Sequence, residues 1–69
     1  MDMSVYKMTE IVGTSPAGLE KAIQEAVGRA SKTLRNVHWF EVKEIRGTVK
    51  EGQVGEYQVR LTVGFKLDD

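Results

Sequence analysis

The sequence contains no cysteine and, among its 69 residues, one proline and one histidine. Without cysteine the chain forms no disulfide, and His38 alone, with no thiolate, nearly excludes a structural zinc site. A chain of this length has room for a single domain, residues 1–69, and such short domains bury little surface. Because disulfides are excluded and a zinc site nearly so, we expect several copies of the chain to associate.

The chain also lacks an excess of charge of either sign, since ten basic side chains balance ten acidic ones. Nucleic-acid binders usually carry a basic surplus, so we expect no nucleic-acid partner. No apolar run approaches the ~18 residues that suggest a membrane span, so we expect no membrane partner either. Residues Met1–Ser4 lack the basic start and apolar run of a secretory signal, and the expected location is therefore cytoplasmic.

An amphipathic helix is expected from Pro16 to Arg35. Ser15 precedes it as a candidate N-cap, and Pro16 suits the first helical position because the N–H that it lacks would go unused there. Its apolar residues recur at spacings of three and four: Leu19, Ile23, Ala26, Ala30 and Leu34. Gly28 lies inside the helix at a cost of about 1 kcal/mol relative to Ala. We interpret it as a point of close packing against a neighbouring backbone.

Three segments have the composition of β-strands: Val5–Val12, Trp39–Val49 and Tyr57–Leu67. The third alternates apolar and polar residues throughout, so its apolar face must lie on the helix. Residues 50–53 form the turn before it, where Gly52 can take the positive φ that a reversal needs. The prediction is an α+β fold of order β-α-β-β, with one helix packed on an antiparallel sheet.

Strand alternation assigns side chains to the two faces of this sheet. In the second strand, Phe40 and Val42 suit the face that the helix covers, which sends Trp39 to the opposite face together with Gln58. The alternation breaks with a switch of face at Ile45 and Arg46, and a β-bulge near Gly47 would explain the change. A lone tryptophan on a polar face is either an anchor between subunits or a stacking platform for a flat ligand, and both can hold at once.

The turn also predicts a register. If Glu51 and Gly52 form a two-residue turn, Trp39 lies opposite Gly64, and Gln58 is then roughly 20 Å away along the strand. Trp39 and Gln58 of one chain therefore cannot easily hold the same small ligand. Trp39 of one chain and Gln58 of another could.

Six short segments together resemble the dodecin family, in the right order and over nearly the whole chain. They are Gly13–Pro16, Ala30–Arg35, Trp39–Val42, Arg46-Gly47, Tyr57–Val59 and Val63–Phe65. The resemblance implies a three-stranded antiparallel sheet partly wrapped around one amphipathic helix. It also implies a hollow homododecamer that binds flavins between its subunits.

Three site residues are implied by this resemblance. Trp39 matches the tryptophan on which the isoalloxazine ring stacks, and Gln58 matches the glutamine that hydrogen-bonds the polar edge of the ring. Arg46 matches an arginine of the bacterial members and is a plausible partner for that edge or for a phosphate. His38 stands where the family varies and is interpreted as a solvated neighbour of the site.

The resemblance implies a binding protein for flavin storage, sequestration and photoprotection, in which Trp39 quenches the excited ring by electron transfer. Riboflavin, FMN and a breakdown product such as lumichrome remain open as the resident ligand. Some bacterial relatives also bind coenzyme A, and whether this chain does so stays open as well.

The sequence gives weaker support to two other classes of function. An enzyme is not expected, because the chain lacks a nucleotide-binding glycine fingerprint, and Glu41 and Glu44 have opposite strand parity and would face apart. The other class is a structural assembly module or nucleic-acid binder. A helix N-terminus at residues 14–16 could receive an anion, although a plain cap explains those residues.

Overall fold

The computed structural model describes residues 3–68. Met1, Asp2 and Asp69 lie outside the described residues, so the interpretation of the chain start and the assignment of residues 1–69 to one domain stay predictions. The element order confirms the predicted β-α-β-β fold: β1 (Tyr6–Ser15), α1 (Leu19–Thr33), β2 (Val37–Lys50) and β3 (Gln53–Lys66). No helix among these residues is long and apolar enough to cross a bilayer.

The sheet has β3 at its centre, with the order β1-β3-β2 and antiparallel pairing throughout. The alternation of β3 turns one row of apolar side chains toward α1. A row of small residues on α1 packs against them. These two rows are the buried core: Val59, Leu61, Val63, Ala22, Ala26 and Ala30. Small residues let the helix approach β1 so closely that a Cβ on Gly13 would overlap the Ala22 carbonyl oxygen.

The helix starts later than predicted. Ser15 is the last residue of β1, and its Oγ accepts a hydrogen bond from the Ala17 N–H at 2.9 Å, which closes a turn instead of capping α1. The N-cap position belongs to Gly18, whose φ of 141° favours glycine and which has no side chain to cap the helix. The prediction of Ser15 as N-cap and Pro16 as first helical residue is therefore wrong, because both residues are used to leave the sheet.

The hairpin between β2 and β3 has the predicted two-residue turn. Glu51 and Gly52 both have positive φ, at 53° and 76°, and Lys50 pairs with Gln53. Two successive positive φ values define a type I′ turn, whose twist matches that of the strands it joins. Trp39 lies opposite Gly64 as predicted, because an unpaired Gly55 in β3 and an extra Lys43 in β2 shift the register in opposite directions and cancel.

The bulge that changes faces in β2 lies upstream of its predicted position near Gly47. Register shifts flank His38 and Lys43 on β2, and a third, between Thr48 and Val49, leaves Gly55 of β3 without a partner. The extra residue at Lys43 reverses the alternation of the β2 residues after it. Ile45 thereby returns to the helix side.

One helix does not cover three strands. It packs on β1 and β3, so Phe40, Val42 and Ile45 of β2 lie on the helix side yet remain 47%, 37% and 55% exposed. The prediction that the helix covers Phe40 and Val42 is wrong for this reason. With the hairpin residues Val49 and Val54 they form an exposed apolar strip, which we call the β2 strip.

The interpretation of Gly28 as a close-packing point is also wrong for the single chain. A Cβ built on Gly28 would meet no atom within 4 Å, whereas one built on Gly13 would lie 2.8 Å from the Ala26 Cβ. The close approach of helix and sheet therefore occurs at Gly13, and the helix faces it with alanines.

Candidate functional site

The sheet face away from α1, here called the open face, carries all three predicted site residues. Trp39 is 42% exposed, and its indole lies directly on Gly64. A Cβ on Gly64 would come within 2.5 Å of the indole Nε1 and closer still to Cε2 and Cζ2. The absence of a side chain at position 64 thus makes room for the indole, which stays partly exposed.

Tyr6 supports this indole from β1. The two ring centroids are 4.6 Å apart at an interplanar angle of 41°, and the Tyr6 hydroxyl forms a 3.0 Å hydrogen bond with His38 Nδ1. His38 is the extra residue of the first β2 bulge, and although exposed, it is bonded to Tyr6. Sequence reasoning missed Tyr6, because finding it requires knowing that β1 lies beside β3 and in which register.

The other two predicted residues meet at the opposite end of the open face. Arg46 pairs with Gln58 across β2 and β3, and its Nε donates a 2.7 Å hydrogen bond to Gln58 Oε1. Gln58 Nε2 in turn donates to Glu56 Oε1 at 3.2 Å. Six positions of β3 separate Gln58 from Gly64, which is roughly 20 Å of strand. Arg46 and Gln58 are therefore together, and Trp39 of the same chain is apart from them.

A row of alternating charges continues from Arg46 across all three strands. Arg46 Nη1 lies 3.3 Å from Glu44 Oε1, which is also 3.5 Å from Arg60 Nε, and Arg60 Nη1 is 2.8 Å from Glu10 Oε2. The hydrogen bond to Glu10 raises the pKa of Arg60, with a further contribution from Glu44. These side chains are half exposed, so each pair adds little stability. Their effect is to fix the position of Arg46.

The same contacts correct the prediction that Glu41 and Glu44 face apart. The Lys43 bulge brings both onto the open face, opposite Thr62 and Arg60. They still form no acid–base pair, because Glu41 contacts Lys43 at 2.9 Å while Glu44 is held by two arginines. Across residues 3–68, no three acidic, histidine or cysteine side chains are grouped so that they could hold a metal ion.

A single chain encloses no ligand at these residues. In the described part of the chain, one groove lies between β1 and α1 and another lies beside the start of α1. Trp39, Arg46 and Gln58 line neither of them. The three residues lie on an open surface, so a ligand held there needs a second wall.

Comparison with known proteins shows which family this chain resembles in sequence. The Dodecin family profile matches residues 5–68. Dodecin of Thermus thermophilus is 65% identical over 65 residues, which are 94% of either chain. The calcium dodecin of Mycobacterium tuberculosis is 38% identical over 65 residues, covering 94% of this chain and 92% of that protein.

Comparison with solved structures also finds dodecins. A crystal structure of a Thermus thermophilus protein superposes with a TM-score of 0.93 at 63% identity, covering 97% of this chain and 98% of that one. Dodecin of Streptomyces coelicolor superposes with a TM-score of 0.94 at 49% identity, covering 100% and 99%.

Proposed function

This chain belongs to the dodecin family, and on that premise we propose that it binds a flavin, riboflavin or FMN, for storage, sequestration and photoprotection in the cytoplasm. The observation that carries the proposal is the indole of Trp39, which Gly64 and Tyr6 hold on an open surface. A partly exposed indole backed by other groups suits a flat aromatic ligand, since stacked rings attract one another. The family is one of small binding proteins, and we propose no reaction.

The residues present fit a flavin. Trp39 would stack on the isoalloxazine ring, and Gln58 would hydrogen-bond its polar edge, because an amide offers both a donor and an acceptor. Arg46 is hydrogen-bonded to Gln58 and would pair with that edge or with the phosphate of FMN. The flavin supplies a light-absorbing ring that accepts electrons. The electron-rich indole of Trp39 would donate an electron to it and take it back, which quenches fluorescence.

The pocket would be built by assembly. Trp39 and Gln58 lie too far apart in one chain, so we propose that Trp39 of one subunit and Gln58 of another share the ligand within a homododecamer. The β2 strip supports association, because a single chain leaves its five apolar residues between 37% and 77% exposed. Burying apolar surface contributes roughly 25 cal/mol per Å², which favours the assembled form.

The test is direct. Purified protein should show the visible absorption of a flavin, or quench added riboflavin or FMN, and either ligand should raise its melting temperature. Trp39→Ala should lose most of the quenching and about tenfold or more in affinity, as when an aromatic anchor is truncated at an interface. Size-exclusion chromatography must show the variant assembled like the parent. A Trp39→Ala protein that binds and quenches as the parent does would refute the proposal.

A purely structural assembly would instead show no response to flavin. An oligonucleotide that raised the melting temperature when flavin did not would favour nucleic-acid binding. Calcium, which the name of the mycobacterial relative carries, has less support here. On the open face, Glu10, Glu41 and Glu44 are each in contact with a cationic side chain, and Glu56 with the Gln58 amide.

A further inference from the structure

We propose that Glu56 is a positioning residue that acts with Arg46 to fix the orientation of the Gln58 side-chain amide. In that orientation the amide selects a ring edge on which an N–H donor adjoins a carbonyl acceptor. The inference rests on the proposed flavin binding and adds to it a determinant of ligand specificity.

The hydrogen bonds that Arg46 and Glu56 make with the Gln58 amide favour the same orientation of that amide. Arg46 Nε donates to the amide oxygen at 2.7 Å, and Glu56 Oε1 accepts from the amide nitrogen at 3.2 Å. Arginine has donors and no acceptor, while an ionised carboxylate has acceptors and no donor. A reversed amide would place its N–H groups against Arg46 and its oxygen against Glu56. Both neighbours therefore favour one orientation and oppose the other.

The partners of Gln58 are themselves held in place. Glu44 fixes Arg46 from the same strand, and Arg60 joins Glu44 to Glu10 on β1. Glu56 precedes Gln58 by two positions on β3, so strand geometry puts both side chains on the open face. The orientation of the amide is thus fixed by neighbours whose positions are set by the sheet.

The oriented amide keeps capacity for a ligand. An amide has two N–H donors and two acceptor lone pairs, of which Glu56 and Arg46 each use one. One donor and one acceptor remain side by side. The complementary ligand group is a cyclic imide, in which a ring N–H adjoins a carbonyl. The isoalloxazine ring carries such an edge at N3, and methylation of N3 removes the donor while keeping the ring flat.

The experiment compares riboflavin with N3-methylriboflavin by quenching titration, using the assembled protein. The parent should prefer riboflavin by about tenfold, the worth of one hydrogen bond left unmade in a closed site. Glu56→Ala should reduce that preference to about threefold, because half of the orienting contacts are lost. Glu56→Gln should retain it, since its amide oxygen still accepts a hydrogen bond. Glu41→Ala removes a carboxylate from the same face, one that contacts Lys43 and not Gln58, and should leave the preference unchanged.

The preference ratio separates positioning from general structural support, because structural damage weakens both ligands alike. If Glu56→Ala lowers both affinities and leaves the ratio at the parent value, the positioning role is overturned while flavin binding stands. If the parent binds neither compound, the flavin proposal and this inference are both overturned. A ratio that falls in Glu56→Ala and holds in Glu56→Gln and Glu41→Ala supports the inference.

Discussion

Gly64→Ala is the substitution that most directly tests how the indole of Trp39 is held. The added methyl carbon would lie within 2.5 Å of the indole Nε1 and closer to two ring carbons. Carbon atoms pack at about 3.5–4.0 Å, so the indole must move by at least 1 Å or swing off the sheet. Gly64 is buried on the central strand and paired on both sides, with Met8 and with Trp39, which leaves its own backbone little freedom to yield.

Two opposing effects determine how Gly64→Ala changes the free energy of unfolding. Overpacking typically costs about 1–3 kcal/mol. Replacing Gly by Ala inside a strand returns roughly 0.5–1 kcal/mol of that, because alanine loses less conformational freedom on folding. A net loss between about 0 and 2.5 kcal/mol in the free energy of unfolding is therefore expected from these two terms. Flavin affinity should fall by about two- to tenfold, the worth of a well-placed aromatic stack.

Trp39 is the single tryptophan, so its fluorescence reports the change without interference. The emission of Gly64→Ala should shift to longer wavelength as the indole leaves its contact with Tyr6, and riboflavin quenching should weaken. Gly28→Ala is the matched control, because its Cβ meets no atom within 4 Å. It should stabilise the helix by about 1 kcal/mol and leave both signals unchanged. Parent-like emission and affinity in Gly64→Ala would refute the account of the indole's support.

Two further substitutions test the packing and the assembly. Gly13→Ala should destabilise the chain by about 2–3 kcal/mol in urea unfolding, because its Cβ overlaps the Ala22 carbonyl oxygen and the helix must move away; an unchanged unfolding midpoint would contradict the close approach of α1 to β1. Ile45→Ser should shift the protein toward smaller species in size-exclusion chromatography, since Ile45 is 55% exposed in the single chain and lies in the β2 strip; a parent-like elution profile would remove that strip from the interface.

Much of the fold is determined by local patterns. The alternation of β3 predicted its buried face, because successive strand residues point to opposite sides whatever the rest of the chain does. Glu51-Gly52 fixed the pairing beside the two-residue turn, and the counted pairing of Trp39 with Gly64 holds because the irregularities at Gly55 and Lys43 cancel. The buried face of β3 and the two-residue turn were predicted correctly because each depends on residues that are neighbours in sequence.

The predictions that were wrong concern features set by pairing between segments that are distant in sequence. Ser15 and Pro16 read as a helix start, yet β1 extends through Ser15, and its pairing with Tyr57 of β3 decides where the helix can begin. The bulge at Lys43 is equally a product of pairing, since it exists only relative to β3. That single extra residue moved both Glu44 and Arg46 to the open face, where Glu44 contacts Arg46 and Arg60.

The sequence by itself therefore determined the order of the elements, the two-residue turn and the separation of Trp39 from Gln58, because those depend on spacing along one chain. The tertiary structure alone decided the strand order, which brings Tyr6 against Trp39 and Arg60 between Glu10 and Glu44. It also decided that one helix covers two of the three strands and leaves the β2 strip exposed. The physical reason is that contacts between strands depend on which strands become neighbours, and that choice is made by the burial of the whole chain.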